Sequence, residues 1–196
     1  MPPIDHAIAA LKAGELVVYP TETFYGIGAD AFSSAALSRL FRVKRREEGR
    51  PVGLIAADTA MAFSVAREIS NHARSLAEAF WPGPLTIVMS ARDGIAPELT
   101  GPDGVGVRVS PNSVARGLSA GLGRPITATS ANLSGEPPAS TPAEARAALG
   151  ETVKVYLEGG KLTATAPSTV VAVSRSGWKI VRVGAISEDQ IAAALK

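Results

Sequence analysis

Leu16-Val17-Val18-Tyr19-Pro20-Thr21-Glu22-Thr23-Phe24-Tyr25-Gly26-Ile27-Gly28-Ala29-Asp30 is the stretch from which the fold can be read. Leu16 to Tyr19 is a short apolar run, β-branched at its centre and bounded by Gly14 and Pro20, which predicts a buried strand. Ser33 then caps a helix in which Leu37, Leu40, Phe41 and Lys44 follow. Between strand and helix lies a segment rich in hydroxyls and glycine, where α/β proteins place their ligand loops. Thr21 and Thr23 offer hydroxyls to a small polar ligand. Gly26 and Gly28 permit close backbone approach or a positive φ. Gly26-x-Gly28-x-x-Ala31 mimics a dinucleotide fingerprint, but it starts well after the strand ends, whereas the true motif turns at once from strand to helix. A turn with stacked aromatics is the plainer alternative.

Working outward, the same alternation of short apolar runs and amphipathic stretches continues. Residues 4–13 predict a helix with Ile4, Ala7, Ile8 and Leu11 on one face and Gly14 as its stop. Val52 to Ala57 predicts a strand, and residues 59–80 predict helix in two pieces, the second capped by Ser70 and ended by the turn Trp81-Pro82-Gly83-Pro84. Leu85 to Ser90 and Val105 to Val109 read as strands around a Gly/Pro-rich loop. Ser110-Pro111 reads as an N-cap with proline at the first helical position. Ile126 to Ala128 is a short strand running into Thr129-Ser130-Ala131-Asn132. Thr141 to Glu144 and Ser187 with Gln190 read as capping boxes. Val153 to Leu157, Thr169 to Ser174 and Trp178 to Val183 complete the strands. Interleaved helices and strands, with strands clustered near the end, predict an α/β fold: a single open domain, residues 1–196, with a twisted mixed sheet flanked by helices.

Composition excludes several classes of function. Apolar residues make up 46% of the 196, enough for a sizeable core, and the chain has no cysteine. Disulfides, thiolate zinc sites and thiol catalysis are therefore excluded. His6 and His72 are the only imidazoles, and no metal site is expected from them. The N-terminal stretch does not read as a signal peptide, and no apolar run approaches the ~20 residues of a membrane span. A cytoplasmic protein without membrane partners is expected. The net charge of +2 permits a nucleotide or nucleic-acid partner without predicting one.

Three further groups could carry chemistry. Arg42-Val43-Lys44-Arg45-Arg46-Glu47-Glu48-Gly49-Arg50 packs five cations into nine residues. A helix C-terminus favours such charges and a solvated loop tolerates them, yet converging cations also suit a triphosphate. Thr127 to Gly135 brings small hydroxyls and an amide off a strand end, where they either form an Asx or Ser/Thr turn or bind phosphate or carboxylate oxygens. Arg108 and Arg182 each interrupt an apolar strand, so each reaches the surface or points at an anion. Ser168-Thr169 could add hydroxyls nearby. No Walker loop, nucleophile elbow or H-E-x-x-H occurs. Chemistry by positioning and electrostatics is expected, with no covalent nucleophile.

Tyr-Pro-Thr-Glu-Thr-x-Tyr-Gly-Ile-Gly (19–28), Lys44-x-Arg46, Trp-Pro-Gly-Pro-Leu-Thr (81–86), Val-Arg-Val (107–109), Thr-Ser-Ala-Asn-x-Ser-Gly (129–135), Pro-Ser-Thr-Val (167–170) and Val-Arg-Val-Gly (181–184) occur in this order. Together they resemble the YrdC family, whose members look like threonylcarbamoyl-AMP synthases. The resemblance implies a deep basic cavity over the sheet, with ATP, L-threonine and bicarbonate as substrates and magnesium accompanying ATP. Threonylcarbamoyl-transferase proteins, and tRNA, are the implied partners. It implies that Lys44, Arg46 and Arg50 contact ATP phosphates, Lys44 and Arg46 being catalytic. Ser130, Asn132 and Arg182 would hold the nucleotide side. Thr23, Arg108 and Ser168 would hold threonine, Arg108 through the carboxylate. The chain departs from the family pattern where Glu47 follows Arg46 and where Ser110 separates Arg108-Val109 from Pro111. The first puts the path of the basic loop in question and the second the position of Arg108. Two rival readings are a non-catalytic RNA-binding module, against which the 5% aromatic content counts, and a carbamoyl-transfer domain of the hydrogenase-maturation type.

Overall fold

The computed structural model describes residues 3–45 and 51–196. Val17–Tyr19 (β1) forms the expected buried strand, and Gly26–Gly28 (β2) returns beside it, pairing antiparallel with Tyr19 opposite Gly26 and Val17 opposite Gly28. That second strand corrects the sequence reading, which left these glycines in an irregular loop. Neither glycine has a positive φ. Their use is room for the Tyr19 ring: a Cβ at either position would lie 3.1 Å from a ring carbon. The fully buried phenol donates to Thr127 O at 2.8 Å.

The remaining strands are Gly53–Ala56 (β3), Leu85–Met89 (β4), Thr100–Gly101 (β5), Gly104–Val109 (β6), Ile126–Ser130 (β7), Val155–Tyr156 (β8), Thr169–Val173 (β9) and Trp178–Arg182 (β10). All ten join one sheet in the order β10-β9-β4-β6-β3-β7-β2-β1-β8, with β5 on β6. The sheet is mixed, as expected: β1–β8, β3–β6 and β4–β9 run parallel and the other pairs antiparallel.

Among the described residues seven α-helices flank it: Ile4–Lys12 (α1), Ser34–Lys44 (α2), Thr59–Phe63 (α3), Asn71–Phe80 (α4), Ser113–Leu122 (α5), Pro142–Leu149 (α6) and Glu188–Ala194 (α7). Side chains alternate across a strand, so the sheet feeds two cores. Leu54, Ile87, Val107 and Val171 pack with Leu40 of α2, Leu76 of α4, Leu149 of α6 and Ile191 of α7. On the other face Val17, Tyr19, Ile55 and Ile126 pack with Leu11 of α1 and Leu118 of α5. α1 and α5 cover only part of that second face, and the uncovered part forms the floor of the site described below.

Side-chain caps at Ser33, Asp58, Ser70, Thr141 and Ser187 satisfy first-turn N–H groups. Ser187 and Gln190 form the full reciprocal box. Two expectations at helix starts are corrected. At α6 Thr141 is the expected N-cap, but the Glu144 carboxylate accepts chiefly from Ser140 N and Oγ, at 2.7 and 2.9 Å, so the box is widened by one residue. The N-cap of α5 is Asn112, whose Oδ1 accepts from Val114 N and Ala115 N. Ser110 is drawn away to the Glu22 carboxylate.

Thr127 ties β2 to β7. Its hydroxyl accepts from Ala29 N at 2.8 Å and donates to Ile27 O at 3.0 Å, with no solvent exposure. Thr127→Val keeps the shape but strands the Ala29 N–H. Urea unfolding should show a loss of about 1–3 kcal/mol, and an unchanged midpoint would contradict the assignment.

Candidate functional site

A face of a sheet can stay open only where its side chains leave space and tolerate water. Here Gly53 lies opposite Ala128, and Val88 opposite Gly106, in adjacent ladders. A Cβ on Gly53 would meet nothing closer than Gly106 O at 3.6 Å, so the emptiness above it is unfilled space. A cavity of about 620 Å³ opens over this floor, within the ~300–1,000 Å³ range of small-ligand sites. Six of the nine residues expected to bind substrate line it: Thr23, Arg108, Ser130, Asn132, Ser168 and Arg182. They come from the β1–β2 connection, β6, the end of β7, the segment before β9, and β10.

At one end, Arg108 on β6 is 7% exposed and forms an ion pair with Glu22, its Nη1 2.5 Å from Oε1. The extra Ser110 puts the position of Arg108 in question. Arg108 stays on the cavity wall, and Ser110 Oγ donates to the other Glu22 oxygen in a short bond. Arg182 donates from Nε and Nη2 to Ser168 O, at 3.2 and 2.8 Å, and from Nη2 to Ser168 Oγ at 3.1 Å. Thr86 Oγ1 sits 3.0 Å from the same hydroxyl. The Arg182 pKa is lowered, first by desolvation and then by the like charge of Arg108, so the two guanidinium groups feel each other. Two adjacent cations in such a place create demand for an anion.

The Thr21-Glu22-Thr23 turn has a defined polarity. Thr21 Oγ1 donates to Phe24 O at 2.7 Å, which uses its only proton. Its 3.1 Å contact with Thr23 Oγ1 therefore has Thr23 as donor. The Thr23 oxygen then faces the cavity with acceptor lone pairs, suited to an amine or hydroxyl.

At the other end is the turn after β7. Asn132 Nδ2 donates to Leu133 O and Glu136 O, at 2.8 and 2.7 Å, while Oδ1 is buried without a partner. Lys44 was expected at the phosphates. Its side chain is 1% exposed and does not line the cavity; Nζ donates to Ser130 O at 2.5 Å and Asn132 O at 2.8 Å. The lysine thus supports the turn from behind. Arg46 and Arg50 lie outside the described residues. Among the described residues the charged lining is Arg108, Arg182, Asp103 and Glu136. Among the described residues no group of three or more His, Cys, Asp or Glu could hold a metal, and no helix is long and apolar enough to cross a membrane.

The Sua5/YciO/YrdC family model, described as telomere recombination, matches residues 9–184. The chain belongs to this family. A Mycobacterium leprae relative of this family member is 40% identical over 193 residues, covering 98% of this chain and 87% of its own length. A threonylcarbamoyl-AMP synthase from Chromohalobacter salexigens is 38% identical over 168 residues, 85% of this chain and 90% of the relative. One from Pyrococcus abyssi is 34% identical over 94% of this chain, which spans 55% of that relative's length. Among solved structures, P. abyssi Sua5 complexed with L-threonine superposes with a TM-score of 0.93 at 32% identity, over 98% of this chain and 57% of that one. E. coli YciO gives 0.84 at 26% identity, over 96% of this chain and 92% of that one. Full-length HypF, at 20% identity and a TM-score of 0.77, shares the fold alone.

Sequence reasoning assigned no role to Glu22 or Thr86 and read Ser110 only as a helix cap. Glu22 and Thr86 stand inside quoted motifs, Tyr-Pro-Thr-Glu-Thr and Trp-Pro-Gly-Pro-Leu-Thr, so motif membership was the available signal. Two outcomes follow from the geometry. Gly53→Val projects methyls into the cavity from a strand that accepts β-branched residues. With ATP as the probe, it should abolish any thermal stabilisation seen in the wild type while leaving the unliganded melting temperature within a few degrees; a shift retained in the variant would place the ligand elsewhere. Burial raises the pKa of Tyr19 above its ordinary value of 10.0, with Arg108 opposing and Glu22 adding to the rise. The unfolded chain then loses tyrosine protons first, so stability is flat with respect to this group below about pH 10 and falls above it. Denaturant melts from pH 8 to 11 check the sign.

Proposed function

We propose that this chain makes threonylcarbamoyl-AMP from ATP, L-threonine and bicarbonate and releases pyrophosphate. The observation that carries this reading is that a cavity large enough for a small ligand joins an arginine-and-hydroxyl end to the Ser130–Asn132 turn. Membership of a family whose curated relatives bear that activity in their names supports it.

In this reading Arg108 takes the threonine carboxylate, and Thr23 accepts from its amine or hydroxyl. Ser168, held by Arg182 and Thr86, completes that end. Bicarbonate takes up a proton and loses water to give CO2, and the amine adds to that CO2, giving a carbamate and returning the proton. A carbamate oxygen then attacks the α-phosphorus and the bond to pyrophosphate breaks. Carbamates decompose in water, so a pocket that holds one beside the nucleotide gains through proximity and exclusion of solvent. Negative charge grows on the phosphoryl oxygens, and Arg182, with Arg46 and Arg50, would stabilise it. Lys44 contributes from behind by fixing the carbonyls of the 130–132 turn. Asn132 has spent both amide protons on its own loop, so it acts through Oδ1 and takes a donor from the nucleotide side. Magnesium enters as the ATP complex, bound to phosphate oxygens. The product would pass to threonylcarbamoyl-transferase proteins acting on tRNA in the cytoplasm.

Pyrophosphate release tests this directly. It should require ATP, threonine and bicarbonate together and fall at least about tenfold when either threonine or bicarbonate is omitted. ATP turnover indifferent to threonine, or RNA affinity that falls steeply with salt in the absence of any turnover, would overturn the proposal.

A further inference from the structure

Glu22 is a partly buried acid that the reaction above does not use. Its side chain is 14% exposed and it does not line the cavity, whereas its partner Arg108 does. The carboxylate therefore meets the guanidinium from the wall side. Both carboxylate oxygens are engaged, one by Arg108 Nη1 and the other by Ser110 Oγ. Ser110 is itself fixed: its hydroxyl accepts from Asn112 N at 3.1 Å and its carbonyl accepts from Arg116 Nη1 at 2.7 Å. A rigid relay thus runs from the capped start of α5 through Ser110 and Glu22 to Arg108.

A guanidinium has five N–H donors in a planar fork. Among the described residues Glu22 is the only acceptor Arg108 has, so the other donors remain for the cavity. Charge gives a second reason. Arg182 stands close enough to Arg108 for the like charge to lower its pKa. Glu22 reduces the pair from two positive charges to one, which a single carboxylate neutralises.

We propose that Glu22 is a positioning residue for the amino-acid end of the site. It clamps Arg108 from behind, so that the free edge of the guanidinium is presented to the substrate carboxylate. The Ser110 departure from the family pattern is what locks the clamp to α5. This rests on the reading of that end as a carboxylate site.

The test measures threonine and ATP KM separately in wild type, Glu22→Gln and Glu22→Ala, with the thermal shift given by L-threonine alone as a second readout. Glu22→Gln is isosteric and keeps an acceptor for Arg108, so it guards against a simple folding failure. Losing a hydrogen bond to a charged group corresponds to about tenfold or more in affinity. Threonine KM should rise by about that factor in Glu22→Ala and about threefold in Glu22→Gln, with ATP KM within twofold of wild type in both. The threonine thermal shift should shrink in the same order. Wild-type turnover with threonine KM unmoved in both variants, or ATP KM rising as much as threonine KM, overturns the role of Glu22 and leaves the proposed activity standing. A wild type without threonine-dependent turnover, whose threonine thermal shift is still weakened by the variants, sinks the activity and keeps the clamp. A wild type that threonine does not stabilise at all sinks both.

Discussion

A sheet in a helix-flanked fold can leave part of a face bare only if the residues there neither demand burial nor fill the space, and the rest of this molecule depends on that constraint. Leu118 and Ile55 close the second core where α1 and α5 lie over the sheet. Along the same strands the residues then shrink to Gly53, Gly106 and Ala128, and the covering helices give way to the cavity. The apolar face opposite continues unbroken beneath. The strands thus serve as core on one side and as binding floor on the other, and the floor is as rigid as the sheet. Rigidity of this kind suits a site that works by holding reactants, since orientation is lost when the supporting shell is loose.

The cavity's polar groups divide by what they have left to give. Arg108 and Arg182 keep donors free and suit anions. Thr23 has its proton directed at Thr21 and keeps lone pairs. Asn132 keeps a single buried acceptor, a group whose unmet bond costs about 1–3 kcal/mol until a partner arrives. These residual capacities, more than residue type alone, separate an end that takes a carboxylate and an amine from an end that takes a donor. Lys44 shows what residue type alone leaves unsaid. This lysine is enclosed and donates to the carbonyls of Ser130 and Asn132, so it also stabilises the turn beside the cavity.

Much of the fold was legible because local rules and tertiary packing agree. The apolar run at β1, the caps at Ser33 and Ser70 and the box at Ser187 all form from nearest-neighbour chemistry. Misreadings arose where a distant group decided the outcome. Gly26–Gly28 is a strand because of the Tyr19 ring across it. Ser110 fails as a cap because Glu22, 88 positions away in sequence, claims its hydroxyl. In the site, Arg108 and Arg182 stood out as charges within apolar strands, and Ser130 and Asn132 as polar groups leaving a strand end. Thr86 and Glu22 were hidden because a threonine or a glutamate beside other polar residues has no distinctive local pattern. Their roles exist only once β4, β6 and the segment before β9 are brought together.

The most direct measurement is a crystal structure of this chain with L-threonine and a non-hydrolysable ATP analogue bound. The account predicts both ligands over the Gly53–Gly106 floor, the threonine carboxylate within hydrogen-bonding distance of the Arg108 guanidinium and the nucleotide against the Ser130–Asn132 turn. A cavity empty of both ligands, or threonine with its carboxylate turned away from Arg108, would contradict it.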